Sequence, residues 1–121
     1  MMNQEEQSDL GDRASAFSLR ILRLYSSLPK ARQARMIGRE LLRSGIWVAA
    51  HYQAATRAQS SAEFVMKIES ALQELDGSLY CVNLLTAADI VPAAKVNEIV
   101  REARELASIL ASCAKAARRS D

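Results

Sequence analysis

Apolar residues recur along this chain in steps of three and four, the spacing that places side chains on one face of an α-helix. Four such segments follow one another, and they begin near Asp12, Lys30, Ser60 and Pro92. The predicted buried stripes are Phe17, Ile21, Leu24 and Leu28; Ile37, Leu41, Val48, Tyr52 and Ala55; Phe64, Ile68, Leu72, Leu75, Leu79 and Val82; and Val96, Ile99, Ala103, Leu106, Leu110 and Ala114. No segment has the alternating pattern of a β-strand.

Four amphipathic helices joined by short connections predict an all-α fold, an antiparallel up-down four-helix bundle that spans residues 13–118. Residues 1–12 are acidic and polar, and we predict that they are a disordered N-terminal segment; residues 119–121 are a C-terminal tail. No apolar run approaches the roughly 20 residues that cross a bilayer, and the N-terminus lacks the features of a secretory signal. We therefore expect a cytoplasmic protein with no membrane association.

Composition leaves little room for catalysis or a cofactor. Cys81 and Cys113 lack the C-x-x-C spacing and are expected to be free thiols, and His51 is the single histidine, which excludes the common metal sites. The chain has no glycine-rich phosphate loop and no nucleophile elbow. We expect no enzyme, no metal and no cofactor. The enzymatic alternative requires Glu63, His51 or Tyr52 to meet in a pocket of the bundle.

The net charge of +2 is unevenly distributed along the 121 residues. Residues 1–12 carry four acids and no base, whereas residues 13–67 carry ten Lys/Arg against two acids, a balance of +8. Residues 68–112 have a balance of −4, and the last nine residues have a balance of +2. A strongly basic half in a nearly neutral chain indicates a polyanion or an acidic partner.

The basic character is concentrated on the second helix. At 100° per residue, four arginines fall within an arc of about 80° and a fifth returns to the same line, which predicts a phosphate-binding stripe. We call these five the arginine stripe: Arg32, Arg35, Arg39, Arg43 and Arg57. Lys30 and the basic tail are auxiliary candidates. Two alternatives stay open: the stripe is a solvated face, or its arginines pair with acids such as Glu98 and Glu102 of a neighbouring subunit.

The same helix is apolar on more than one side, which is typical of a helix buried by more than its own bundle. The predicted subunit-interface residues are Met36, Leu42, Ile46, Trp47, Ala49 and His51. Gly38 and Gly45 favour a close helix approach, which we interpret as part of this interface. The pattern predicts a homo-oligomer.

The stretch from Arg43 to Ala58 (RSGIWVAAHYQAATRA), with Ser60 and the Ala-Glu-Phe that starts at Ala62, resembles the four-helix bundle protein family. This family is also called the rRNA intervening-sequence protein family, after members encoded in insertions within bacterial large-subunit rRNA genes. The chain departs from the family pattern at Ala49, where glycine is typical, and at His51, where asparagine is typical.

The resemblance implies closed rings, commonly pentamers, of antiparallel four-helix subunits. Distant relatives include the accessory variability protein of diversity-generating retroelements, a basic barrel that binds reverse transcriptase and nucleic acid. We therefore predict a ring-forming bundle that binds RNA or DNA non-specifically through the arginine stripe, with a reverse transcriptase as a candidate partner. The alternative is a purely structural or protein-binding module.

Overall fold

The computed structural model describes residues 2–119, and it folds them into four α-helices with no strand. The helices are α1 (Gln4–Ser27), α2 (Arg32–Thr56), α3 (Ser61–Ala87) and α4 (Ala93–Arg119). Each helix packs on the next in the chain and α4 also packs on α1, so α1 is diagonal to α3 and α2 to α4. This order confirms the predicted antiparallel bundle. No described helix has the length of apolar sequence that a membrane crossing requires.

The first helix begins earlier than the hydrophobic pattern predicts. The Asn3 side chain accepts a hydrogen bond from the Glu6 backbone N–H at 2.8 Å, and the Glu6 carboxylate accepts one from the Asn3 N–H at 3.3 Å. This capping box ties down the start of α1, where acidic side chains also stabilise the positive end of the helix dipole. The predicted disorder is therefore corrected for residues 4–12, which are helical and include the buried Leu10, while Met1 lies outside the described residues. At the other terminus Arg119 still belongs to α4, and residues 120–121 lie outside the described residues.

The predicted stripes form the core of the bundle. Those of α4 are buried along their whole length, while Leu28, Ile37, Leu72 and Leu79 are half-buried and pack against the edge of the core. A buried Ser44–Ser78 hydroxyl pair at 2.8 Å joins α2 to α3, and the Ser44 hydroxyl also reaches the Leu41 carbonyl. Both hydroxyls are satisfied, so this pair fixes the α2–α3 register without leaving an unpaired buried group.

The two glycines of α2 serve the subunit itself rather than an interface between subunits. Both are buried against α1: a Cβ added at Gly38 would lie 2.7 Å from Leu28 Cδ1, and one added at Gly45 would lie 2.7 Å from Ile21 Cγ2. The Ser18 hydroxyl also donates to the Gly45 carbonyl at 2.6 Å. The close helix approach that the sequence predicts is therefore confirmed, but it lies between α1 and α2 of one chain.

The cap of α3 is half of the predicted capping box. The Ser60 hydroxyl accepts a hydrogen bond from the Glu63 N–H at 3.1 Å, as expected from the Ser-x-x-Glu spacing. The Glu63 carboxylate accepts from the Gln59 N–H at 3.0 Å rather than from Ser60. The Glu63 carboxylate is therefore engaged in a hydrogen bond from the backbone at the start of α3.

Candidate nucleic-acid interface

All five side chains of the arginine stripe lie on the solvent side of α2. They do not form one cluster, because α2 rises about 1.5 Å per residue and Arg57 is therefore some 37 Å from Arg32 along the axis. Arg32, Arg35 and Arg39 are at the end of the bundle where α2 starts. Arg57 is at the opposite end, as the C-cap of α2.

Arg43 lies in the middle of the stripe and is held by two acids. Its Nη2 is 2.8 Å from Glu40 Oε1 and 3.1 Å from Glu74 Oε1, so it links α2 to α3. Hydrogen bonds to Glu40 and Glu74 raise the pKa of the Arg43 guanidinium, and the bond from Arg43 lowers the pKa of Glu40. Arg43 is aligned with the other arginines on the helical wheel, but Glu40 and Glu74 neutralise its charge within the subunit.

The remaining arginines of the stripe are not neutralised. Among residues 2–119, no carboxylate lies within ion-pair distance of Arg32, Arg35, Arg39 or Arg57. The N-cap of α2, Ala31, makes no side-chain capping bond, and the first turn holds no acid. An uncapped helix start with free N–H groups and adjacent arginines is electropositive, which is the arrangement that binds anions.

Other helices add basic residues to this end of the bundle. The end of α1 supplies Arg23, the α1–α2 connection supplies Lys30, and the start of α4 supplies Lys95. Arg23 and Lys95 line a cleft of about 460 Å³ between α1 and α4, together with Arg20 and Glu98. We call the cations at this end of the bundle that are unpaired within residues 2–119 the basic end and define it as Arg23, Lys30, Arg32, Arg35, Arg39 and Lys95.

The helical-wheel pattern of α2 does not include Arg23 and Lys95, because they lie on other helices. The signal was present, since in an antiparallel bundle the end of α1 and the starts of α2 and α4 meet at one end. Charges that are far apart in sequence thereby lie at the same end of the bundle.

The seam between α1 and α4 has a different electrostatic character. Arg13 of α1 lies 3.0 Å from Glu102 and 3.1 Å from Glu105, and Arg101 pairs with both Glu98 and Glu105 on its own helix. The hydrogen bond to Glu102 raises the pKa of Arg13, and the bond from Arg101 lowers the pKa of Glu98. Glu98 and Glu102, the acids named for pairing across subunits, are therefore engaged by arginines of their own chain.

The predicted interface residues divide into exposed and half-buried groups. Met36, Ile46 and Trp47 are 61%, 49% and 45% exposed, unusually high for large apolar side chains. Leu42, Ala49 and His51 are half-buried, and Leu42 packs against the core.

At 100° per residue, Ile46 falls within the arc of the arginine stripe, between Arg35 and Arg39, whereas Trp47 lies on one flank of the stripe. Ile46 is rotated by 100° from Gly45, which faces α1, and it therefore points to solvent rather than into the α1–α2 contact. The Trp47 ring lies 5.3 Å from the His51 ring, and His51 Nε2 lies 3.8 Å from Glu74 Oε2 of α3. Trp47 is therefore on the α3 side of α2.

The residues of the enzymatic alternative do not share a site. Glu63 is occupied at the start of α3. Tyr52 is buried and donates its hydroxyl hydrogen bond to the Gln7 carbonyl at 2.9 Å, and burial raises the pKa of this phenol to about 12. His51 lies beside Trp47. Each of the three side chains thus has a local structural partner.

The two cysteines are free thiols, and burial raises the pKa of both. Cys113 Sγ lies 3.6 Å from Met2 Sδ in a cavity of about 410 Å³ between the start of α1 and the end of α4. Within the described part of the chain, no group of three or more His, Cys, Asp or Glu side chains is arranged to hold a metal ion.

Comparison with known proteins identifies relatives of the whole bundle. Residues 6–112 match the family model described as 23S rRNA-intervening sequence protein. A solved structure from Bacteroides thetaiotaomicron, described as a protein with unknown function from the S23 ribosomal protein family, is 28% identical in sequence. That match covers 88% of the present chain and 98% of the Bacteroides chain, with a TM-score of 0.82. No curated protein matches the chain significantly.

Proposed function

The chain belongs to the 23S rRNA-intervening sequence protein family, and we propose that it is a non-catalytic bundle that binds nucleic acid through the basic end. It contacts the phosphate backbone of RNA or DNA and does not read base sequence. The same bundle assembles with copies of itself into a closed ring, which repeats the basic end around the assembly.

One observation carries the nucleic-acid proposal: Arg32, Arg35 and Arg39 follow one another on α2 and all lack acidic partners within residues 2–119. In contrast, Arg13, Arg43 and Arg101 each bind a carboxylate. Planar guanidinium groups match phosphate oxygens, and the uncapped start of α2 adds free N–H donors beside them. Arg35 and Arg39 are like charges at i,i+4, and their repulsion destabilises α2 in the free subunit. A bound polyanion neutralises both guanidinium groups and so relieves this repulsion.

The ring proposal is supported by apolar side chains exposed at different places on the subunit. Leu19 and Leu22 are exposed on α1, Ile46 is exposed on the outer face of α2, and Trp47 is exposed on the α3 side of α2. Because these patches differ and lie on different sides of the subunit, contact between them is head-to-tail. A head-to-tail contact generates a ring when its rotation closes. The pentamer stays a prediction from the family resemblance, as does the association with a reverse transcriptase.

The runner-up proposal is a purely structural or protein-binding module. Its arginines then pair with acids of a neighbouring subunit, and these acids are other than Glu98 and Glu102, which already bind arginines of their own chain.

The two functions are separated by a charge-matched pair of variants. The first carries Arg32→Gln, Arg35→Gln and Arg39→Gln. The control carries Lys67→Gln, Arg101→Gln and Arg104→Gln, which removes the same charge from α3 and α4, outside the arginine stripe, the basic end and the basic tail. Binding to a labelled structured RNA and to a DNA duplex is followed by fluorescence anisotropy at several salt concentrations, and light scattering gives the assembly mass.

We expect wild type and control to bind with steep salt dependence. The basic-end variant should bind more weakly, and the slope of log K against log salt should fall by about 2.7 if each arginine neutralises one phosphate of duplex DNA. Equal binding by all three proteins would remove the nucleic-acid proposal. Dissociation of the basic-end variant into single subunits would favour the structural module instead.

A further inference from the structure

A notch beside the basic end combines an aromatic ring with two cations. It has a volume of about 270 Å³ and lies where α1 ends and α2 begins. Its lining residues are Tyr25, Ser26, Leu28, Pro29, Lys30 and Arg35. The uncapped N-terminus of α2 adjoins it, because the connection between the helices comprises only residues 28–31.

The aromatic wall of the notch is held in place by the packing of α1 on α2. A Cβ added at Gly38 would lie 3.0 Å from Tyr25 Cδ1, so one edge of the ring rests on the glycine backbone. The ring is half-buried, and its hydroxyl makes no hydrogen bond within the described residues. Tyr25 is therefore a fixed ring that keeps part of its surface free.

The cationic side of the notch is also free. Arg35 is exposed and has no carboxylate partner in the described part of the chain, and the same holds for Lys30. A duplex backbone requires cations but no aromatic surface, whereas an unpaired nucleotide offers a flat base beside its phosphate. A fixed ring next to two cations and an uncapped helix start matches both parts of such a nucleotide.

We propose that this notch binds an unpaired nucleotide, with the base stacked on Tyr25 and the phosphate held by Lys30 and Arg35. The inference deepens the proposed function and rests on it: the basic end contacts the backbone of any nucleic acid, and the notch adds a preference for unpaired segments. Ribose and deoxyribose strands offer the same base and phosphate, so both are ligands by this chemistry.

The test compares Tyr25→Leu, which keeps an apolar side chain against Gly38, with Tyr25→Phe, which keeps the aromatic face. The control is Tyr80→Leu, which removes the most exposed of the large apolar side chains from α3, the helix diagonal to α1. Each protein is titrated with oligouridine, oligodeoxythymidine and a DNA duplex of equal length. Thermal melts followed by circular dichroism establish that each variant is folded.

We expect Tyr25→Leu to bind both single strands roughly tenfold more weakly and the duplex as wild type does, since one aromatic stack contributes about this factor. Tyr25→Phe and Tyr80→Leu should bind as wild type. If Tyr25→Leu lost equal affinity for the single strands and the duplex, or lost none, the nucleotide-binding role of the notch would be overturned. The proposal for the basic end would be unaffected. Failure of the wild type to bind any of the three probes would instead overturn the proposed function.

A second measurement uses the unmodified protein. Ultraviolet crosslinking to oligouridine, followed by mass spectrometry of the peptides, should place the main adduct at Tyr25. Adducts found only on other aromatic residues, such as Trp47 or Tyr80, would overturn the proposal even if Tyr25→Leu failed to fold.

Discussion

Helices α2 and α4 are similar in length, 25 and 27 residues, and both carry several arginines, but their exposed faces differ. On α4, Arg101 is paired with Glu98 and Glu105, and Glu105 also binds Arg13 of α1. On α2, the single acid Glu40 is paired with Arg43, and the arginines near the helix start have no partner among the described residues. None of the large exposed apolar side chains lies on α4, whereas α2 has three.

The comparison separates the charge cluster around Arg101 of α4, which is paired within the subunit, from the start of α2, whose arginines are not paired within the described residues. The number of arginines on a helix does not decide this, because α4 and α2 are both rich in them. What decides is whether a carboxylate from the same or a neighbouring helix comes within reach. A surface with free cations and exposed apolar groups is suited to a partner, and a surface with closed charge pairs is suited to solvent.

The largest expected difference between the two helices concerns assembly. Trp47→Glu places a charge in the predicted interface, where a buried tryptophan commonly contributes about 2 kcal/mol or more to association. Ala111→Glu introduces the same charge at an exposed position of α4. Light scattering should give single subunits for Trp47→Glu and the wild-type oligomer for Ala111→Glu. The thermal melt of the dissociated subunit should remain cooperative, since Trp47 is not a core residue.

Two results would count against this view of α2. If Trp47→Glu kept the wild-type assembly mass, the apolar surface around Trp47 on the α3 side of α2 would lie outside any subunit interface. If the wild-type protein were itself a single subunit, the ring proposal would fail altogether.

The next prediction concerns the inner face of α2. Gly45→Ala should lower the free energy of unfolding by about 1–3 kcal/mol, because the new Cβ meets the β-branched and stiff Ile21 at 2.7 Å. The control, Gly77→Ala on α3, places its Cβ 3.8 Å from Ser44 and should raise that free energy by up to about 1 kcal/mol through helix propensity. Denaturant unfolding measures both changes. An unchanged free energy of unfolding for Gly45→Ala would show that α1 and α2 can move apart at this point without loss of stability.

The bundle itself was predictable because its information is local and periodic. The steps of three and four between Val96 and Ala114 identify a buried face without knowledge of what covers it, and the Ser60 cap depends on residues three apart. The start of α1 was harder to predict, since an acidic N-terminal stretch has the composition of disorder. There, Asn3 and Glu6 stabilise a helix through a capping box that precedes the hydrophobic pattern.

The candidate site was predictable only in part, because it depends on contacts between helices. Arg43 and Arg39 look equivalent on a helical wheel, but Glu74 of α3 reaches Arg43 and no described acid reaches Arg39. Likewise, the wheel does not reveal that Gly45 packs against Ile21. Angles within one helix give the direction of a side chain, and the neighbouring helix decides its partner.

The smallest expected effects have opposite signs on the two helices. Arg39→Gln should raise the free energy of unfolding by about 0.2–0.5 kcal/mol, since it removes the repulsion from Arg35 at i,i−4 with little change in helix propensity. Arg101→Gln should lower it, since Arg101 is hydrogen-bonded to Glu98 and Glu105. Denaturant unfolding at low salt compares the two variants with wild type. A loss of stability in Arg39→Gln would reveal a partner for Arg39 within the subunit.

The pH dependence separates these two effects further. The hydrogen bond from Arg101 lowers the pKa of Glu98 in the folded protein, so this pair stabilises the fold above the ordinary glutamate pKa of about 4.3. The contribution is lost as the pH falls through the lowered pKa, and the deficit of Arg101→Gln should therefore shrink in acid. The gain from Arg39→Gln should persist there, because guanidinium groups stay charged and their repulsion does not titrate. If the gain from Arg39→Gln instead grew as the pH fell, a carboxylate would be offsetting the repulsion at neutral pH, and Arg39 would have an acidic partner after all.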